Sequence, residues 1–345
     1  MARPDLDRKK MKNIAIVGCG FSGSLLAYML PELGYNVDVY ERSSQPKVVC
    51  AGGIATSLLD ETAKECGLDS QKYVKWRGKR LFVKINSKAF ALDIDDFCTF
   101  DKQSFVEDVV KKSKASFHFK NSPDPRHFSK HDLVIDASGN RSILGRLPTD
   151  KFHVCYQVRA FFEELPYPDF LMDFTKPASD PWYLWMFPLS RHEAYVGCGS
   201  SKGKHARSAV QKFMDEFHGE ILEEQGKMLR VNSPEKSLPF IRDNVVGVGN
   251  NVGAITSLGE GNALSITTVN LLLKNLDALG EYQEQVLENL GWLKHDHAAH
   301  ANWSKNELRF LYHAMNCFHH YETQFHIRSS QVVTRGFKSR LLASL

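Results

Sequence analysis

Apolar residues recur along this chain with two different periods, and the changes of period mark its elements. Ile14 to Val17 is an unbroken apolar, β-branched run, which fits a strand buried on both faces. A helix-spaced stretch, SGSLLAYMLPELGY, follows it, and a second short strand covers Asn36 to Tyr40. Further on, VVCAGGIATSLLDETAKECGL reads as a loop and a helix, and Leu133 to Ile135 as another buried strand. Residues alternate between apolar and polar from Phe152 to Phe162 and again from Tyr183 to Cys198, where Ser190 to Glu193 can turn a hairpin. NVVGVGNNVGAITSLGEGNALSITTVNLLLKNL then repeats the strand, loop and helix order, its helix opening at Gly259-Glu260-Gly261-Asn262 and running to Leu273.

The first strand, helix and strand enclose Gly18, Gly20 and Gly23 in GxGxxG spacing, and the second strand ends on Glu41. Gly18 permits the tight turn, Gly20 lets the backbone approach a pyrophosphate, and Gly23 lets the helix pack on the strand. The helix start offers unpaired amides and a positive dipole end to phosphates, while Glu41 is placed to accept ribose hydroxyls. A glycine triplet alone is a weak signal; strand, turn, helix, strand and acid in one unit point to a dinucleotide.

A nicotinamide dehydrogenase would continue with further βαβ units after residue 41. Here the third strand of that kind comes only at Leu133, and the second glycine-rich unit later still. An interrupted dinucleotide fold of this type is the organisation of FAD-containing oxidoreductases. The fold class expected is α/β with an α+β inserted lobe, in which an antiparallel sheet roofs the cofactor. Residues 1–75, 101–150 and 241–280 are assigned to the FAD-binding domain, 76–100 and 151–240 to the substrate lobe, and 281–345 to a C-terminal helical region.

Five segments, in order, resemble the archaeal geranylgeranyl reductase family, flavoproteins of the p-hydroxybenzoate-hydroxylase fold group that saturate isoprenoid chains. They are the Gly18 turn, Cys50-Ala51-Gly52-Gly53, Asp101-Lys102-Gln103-Ser104-Phe105, Tyr183-Leu184-Trp185-Met186-Phe187-Pro188, and Gly249 through Gly261. The Cys-x-Gly-Gly and Tyr-x-Trp-x-Phe-Pro runs discriminate best, because generic flavoproteins need neither. Three positions depart from the family: Asn250 replaces an aspartate, Lys102 replaces an arginine, and Ser257-Leu258 stand where a proline is usual. An amide at 250 keeps an acceptor oxygen and loses its charge, and a lysine at 102 gives a point charge in place of a fork.

The resemblance implies bound FAD. It assigns Gly18, Gly20, Phe21, Ser22 and Gly23 to the dinucleotide turn, with Glu41 and Arg42 at the second strand's end. It adds Ala51, Gly52, Lys102, Asp136, Gly139, Gly249 and Asn250, and the run Gly259, Glu260, Gly261 and Asn262, whose amides would face the flavin's N1/O2 edge. For Asp136 an ordinary helix cap is an equal alternative. Tyr183, Trp185 and Phe187 share a face at period two, a pattern that by itself more often marks core. The resemblance makes them, with Cys50, the substrate-pocket and catalytic candidates, although a lone cysteine is usually a small core residue.

Isoprenoid alkenes are unactivated, so their reduction needs a hydride and a proton, and aromatic walls can stabilise the developing cation. The substrate implied is a prenyl-chain lipid, and the electron donor a nicotinamide nucleotide or a ferredoxin-like protein. A flavin monooxygenase of the same fold group and a non-catalytic prenyl-lipid-binding flavoprotein are the alternatives.

Composition bounds this reading. With 345 residues, 43% of them hydrophobic, the chain can bury a large core, and its mean hydropathy of −0.33 with no membrane-length apolar run fits a soluble enzyme. The charged start lacks the apolar segment of a signal peptide, and seven cysteines without a CxxC pair fit reduced thiols in a cytoplasm. A net charge of +4 gives no basis for nucleic-acid binding. Seven of the fourteen histidines fall between His295 and His326; their spacing matches no strong metal pattern and reads as solvated helix faces, so no metal is assigned. The tail RGFKSRLLASL mixes Arg335, Lys338 and Arg340 with Phe337, Leu341 and Leu342; an ordinary frayed helix is the commoner reading of such an end, and contact with an anionic membrane surface the alternative.

Overall fold

The computed structural model describes residues 13–85, 88–122, 128–141, 143–145, 147–174, 183–302 and 307–324. In chain order it holds β1 (Asn13–Val17), α1 (Phe21–Glu32), β2 (Asn36–Glu41), β3 (Gly53–Ile54), α2 (Thr56–Glu65), β4 (Val74–Arg77), β5 (Arg80–Ile85), β6 (Lys88–Asp93), β7 (Cys98–Phe100), α3 (Lys102–Lys112), β8 (Ser116–Phe119) and β9 (Leu133–Asp136). Then follow β10 (Phe152–Phe161), β11 (Phe170–Asp173), β12 (Leu184–Pro188), β13 (Glu193–Ser200), α4 (Gly203–Glu216), β14 (Glu220–Arg230), β15 (Ile241–Arg242), β16 (Val245–Gly247), α5 (Asn262–Lys274), α6 (Leu279–Leu290), α7 (Leu293–Asn302) and α8 (Glu307–Gln324).

Three sheets organise these strands. The first has six strands in the order β15-β16-β9-β1-β2-β8, and its β1, β2, β8, β9 and β16 are parallel. Ile14, Ala15, Ile16, Val134 and Ile135 have no exposed surface, as expected for parallel strands covered on both faces. Helix α1 packs against α3 and α5 over this sheet, and Leu25, Leu26, Leu30, Phe105, Val269 and Leu272 are fully buried there. Burying one such side chain contributes about 1.5–3 kcal/mol.

The second sheet has seven strands, β14-β10-β13-β12-β11-β5-β6. All its pairings are antiparallel except β5 with β11, which is parallel. The antiparallel roof expected from sequence is present, with this one parallel pair within it. The 84 residues between Ile85 and Phe170 separate β5 from β11, and a long crossover is what a parallel pair requires. Helix α4 covers one face, packing Ala206, Val210, Phe213 and Met214 against Tyr156, Val158 and Ala160. The opposite face carries Trp185, Phe187 and Cys155. A small third sheet, β3-β7-β4, follows the Cys-Gly-Gly loop.

Helices α7 and α8 form an antiparallel pair. Among the described residues no helix is long and apolar enough to cross a membrane. The basic, apolar tail from Arg335 to Leu345 lies outside the described residues.

Candidate functional site

The glycine turn sits between β1 and α1 as its spacing requires. Gly18 has φ +99°, and its amide donates to the Tyr40 carbonyl at 2.8 Å, joining the turn to the end of β2. A Cβ at Gly18 would stand 2.7 Å from the Ala137 carbonyl oxygen, and one at Gly23 only 2.0 Å from the Gly18 carbonyl oxygen, so the turn closes only around glycine. Gly20 differs: nothing lies within 4 Å of its Cβ position. It is the N-cap of α1, no side chain caps that helix, and Ser22 is half-buried in its first turn. A cradle of free amides in front of open space is what a pyrophosphate needs.

Glu41 ends β2 beside this cradle, its Oε2 accepting from the Cys19 amide at 2.9 Å and its Oε1 from the Ser43 amide at 2.8 Å. These bonds fix the carboxylate and leave lone pairs for further donors. Arg42, next along, is exposed. Gly139 has φ +66° and open space around its Cβ position.

Two assigned residues face inward. Asp136 is fully buried, and its carboxylate accepts from the amides of Ser138 (3.1 Å), Ile143 (2.7 Å) and Leu144 (3.2 Å). These bonds scaffold the loop after β9, in line with the capping role weighed as its alternative. Asn262, 3% exposed, is a junction: its Oδ1 accepts from Lys102 Nζ at 2.6 Å, and its Nδ2 donates to the Gly53 carbonyl at 2.7 Å and lies 3.6 Å from Cys50 Sγ. Lys102 also sits over the Phe21 ring, 4.5 Å from its centroid. The side chain of Asn262 thus ties α5 to the Cys-Gly-Gly loop and to α3.

The start of α5 also differs from expectation. The Asn262 amide, read as free to face a ligand, donates to the Glu260 carboxylate at 2.9 Å. Glu260 is half-buried; removal from water pushes its carboxyl up to about 7, although the amides of Asn262 and Ala263 and the charge of Lys102 pull it down. Gly249 (φ +63°) abuts Ser22, whose Oγ would be 2.7 Å from an added Cβ, and Asn250 Oδ1 lies 3.6 Å from the Cβ position of Gly261. The second glycine unit is therefore folded onto the first. Gly259 (φ +82°) makes the turn between them.

The two most discriminating motifs touch. A Cβ at Gly52 would collide with the Phe100 carbonyl oxygen at 2.4 Å, and one at Gly53 with the Phe187 ring at 2.6 Å. The double glycine lets the Cys50 loop lie flat on the aromatic stripe. Cys50 is half-buried, its Sγ 3.3 Å from the Gly52 amide, and Ala51 packs against the same aromatics. Tyr183, Trp185 and Phe187 are 6%, 7% and 7% exposed and form one cluster with Phe97, Phe170 and Met172. Trp185 lies flat on Gly197, whose added Cβ would be 2.2 Å from the indole. The Tyr183 hydroxyl donates to the Leu258 carbonyl at 2.8 Å, and burial raises its pKa well above the ordinary value. The stripe is a buried aromatic cluster that lies directly against the Cys50 loop.

Sequence gave no signal for several neighbours. Tyr321 of α8 joins the aromatic cluster, and its hydroxyl donates to Asp296, a 3% exposed carboxylate that also accepts from the Ser257 hydroxyl at 2.9 Å. His297 bonds the Ile255 carbonyl at 3.0 Å, and the ring nitrogens of His295 and His313 approach to 3.1 Å. These histidines, read as solvated faces, are inter-element contacts; the C-terminal helices clamp residues 255–257, just before the Gly-Glu-Gly loop. His326 lies outside the described residues.

No protein-family profile matches the chain. By sequence it is similar to an uncharacterised protein of Methanocaldococcus jannaschii, 24% identical over 75% of this chain and 81% of that one. It is also similar to the digeranylgeranylglycerophospholipid reductase 1 of Methanopyrus kandleri, 23% identical over 59% of this chain and 62% of that protein. By structure it is similar to a geranylgeranyl bacteriochlorophyll reductase-like protein from Thermoplasma acidophilum, with TM-score 0.70, 16% identity, and 89% and 92% of the two chains covered. PqsL, a probable FAD-dependent monooxygenase from Pseudomonas aeruginosa, follows with TM-score 0.61, 14% identity, and 88% and 99% covered. The fold is that of FAD-dependent oxidoreductases, and the resemblance to archaeal geranylgeranyl reductases holds in both comparisons.

Proposed function

We propose that this chain is an FAD-dependent oxidoreductase that reduces carbon–carbon double bonds of isoprenoid chains. The observation that carries the reading is the contact of Gly53 with Phe187, which stacks the two family-discriminating motifs against each other over the start of α5. FAD, once reduced, supplies the hydride.

The chain's own residues fit this cofactor at its phosphate end. Gly20 opens α1 with no side chain capping it and with open space around its Cβ position, and Glu41 keeps free lone pairs beside it. At the flavin end the fit requires one rearrangement: the Glu260 carboxylate must give up the Asn262 amide for a flavin edge to take it. Lys102 and Asn262 hold the Cys50 loop in place meanwhile. The aromatic stripe and Leu258 supply apolar surface, at about 0.8 kcal/mol per buried CH2 of a chain laid against it. The donor of reducing equivalents is a nicotinamide nucleotide or a small iron–sulfur protein, and the cytoplasmic face of a membrane is where a lipid substrate would be met.

A flavin spectrum between 350 and 500 nm is the first expected result. Reduced anaerobically and mixed with geranylgeranyl glycerophospholipid, the protein should regain oxidised-flavin absorbance as the lipid gains two mass units per bond. Reoxidation only with oxygen, accompanied by substrate hydroxylation, would replace this reading with a monooxygenase. Protein that stays colourless after incubation with FAD would remove both.

A further inference from the structure

We propose that Lys227 anchors an anionic group of the substrate, a phosphate or a carboxylate, on the roof of the cleft. The inference rests on the reading above only in taking the cleft for a substrate site.

Cross-strand register puts Lys227 there. Trp185 pairs with Gly197, Gly197 with Gln157, and Gln157 with Gln225, so these four positions share one face of the seven-stranded sheet. Lys227 is two residues beyond Gln225 and pairs with Cys155, which belongs to the aromatic cluster; it therefore projects from the same face. Its side chain keeps solvent-accessible surface, yet it is surrounded by enough of the protein that desolvation lowers its pKa. Lys102 lowers it further, while Cys50 and Cys155 act in the opposite sense, which places the ammonium within electrostatic reach of the Cys50 loop and of α3.

Among the described residues the cation has no counter-charge. Arg159 and Arg207 on the same lobe pair with Glu193 at 3.1 Å and Glu224 at 2.9 Å, and Arg230 pairs with Asp150 at 2.7 Å. Among the described residues Lys227 has neither an ion pair nor a hydrogen bond. The polar neighbours are occupied: Gln157 donates to Gln225 at 2.7 Å, and Gln225 donates to Glu223 at 2.8 Å. The other charge that acts strongly on it, Lys102, has the same sign. A lysine drawn out of bulk water without a carboxylate costs free energy that a ligand anion offsets, and a compact ammonium suits a phosphate or carboxylate oxygen. A ligand so held would lay its apolar part along Leu229 and Trp185 and keep its polar end beside Cys50.

The test uses the FAD-loaded protein and calorimetric titration with geranylgeranyl phosphate, geranylgeraniol, inorganic phosphate and benzoate. A charge-assisted contact predicts that geranylgeranyl phosphate binds wild type about ten-fold or more tightly than geranylgeraniol. Lys227→Met should erase that preference and Lys227→Arg keep it, with flavin absorbance unchanged in both. Lys227→Gln, checked by circular dichroism, replaces the methionine variant if that one does not fold. A preference that survives Lys227→Met overturns the proposal, as does loss of FAD, which would give Lys227 to the cofactor. Inorganic phosphate binding as tightly as geranylgeranyl phosphate would show a free-anion site and also overturn it. If neither prenyl compound binds while benzoate does so only with Lys227 present, the anchor stands and the prenyl reading falls.

Discussion

Replacing Glu260 by glutamine isolates the cost of keeping a carboxyl group in the cleft. The native carboxyl is raised by burial from its ordinary 4.5 to about 7, against the pull of the Asn262 and Ala263 amides and of Lys102. At about 1.4 kcal/mol per pH unit, that interval corresponds to about 3 kcal/mol. The sign follows from proton counting. Below pH 4.5 both folded and unfolded chains hold the proton, and no cost arises. Between 4.5 and 7 the unfolded chain has lost it while the folded one retains it, so stability falls as pH rises, and above 7 the full cost is present. Glutamine does not titrate, and its carbonyl oxygen can still accept the Asn262 amide. Urea unfolding of the flavin-free protein, followed by far-ultraviolet circular dichroism from pH 4.5 to 8, measures the difference. Glu260→Gln should gain on wild type by up to about 3 kcal/mol across that range. Parallel curves, or wild type gaining on the variant towards high pH, would refute the reasoning.

Two further outcomes are expected. Gly20→Val should fold normally and fail to retain FAD, because its side chain enters open space in front of the α1 amides, whereas Gly23→Val should fail to fold through its clash with the Gly18 carbonyl; flavin absorbance together with circular dichroism separates the two. Tyr321→Phe leaves buried Asp296 short of one donor and should cost about 1–3 kcal/mol in urea unfolding, with FAD retention unchanged.

The parts of this molecule that could be read from its sequence are those whose signal is local. The turn around Gly18, Gly20 and Gly23 needs only adjacent strand, turn and helix, and each glycine has a separate steric reason visible in its own spacing. The alternation in Phe152 to Phe162 likewise predicted β10. What sequence could not give is what closes across long separations. Asn262 reaches Cys50 across 212 residues and Lys102 across 160, and nothing in a helix-opening asparagine announces that its side chain will turn inward. Asp136 shows the same limit: a carboxylate after a strand suits a ligand and a loop equally, and its bonds to the amides of Ile143 and Leu144 come from seven and eight residues on. The histidines were misjudged because α7 and α8 bury faces against each other that each helix alone would expose.

The packing also gives a reason for two motifs that sequence could only report as coincident. Gly52 is required by the Phe100 backbone and Gly53 by the Phe187 ring, so the Cys-x-Gly-Gly loop can take its position only where an aromatic stripe of the Tyr-x-Trp-x-Phe-Pro kind waits beneath it. The stripe in turn lies flat because Gly197 leaves the Trp185 indole its space. A change at any of these glycines therefore acts on Cys50 and on the aromatic wall together. The stripe thereby holds the Cys50 loop in place, and Asn262, donating to the Gly53 carbonyl at 2.7 Å, ties that loop to the start of α5 beside Glu260.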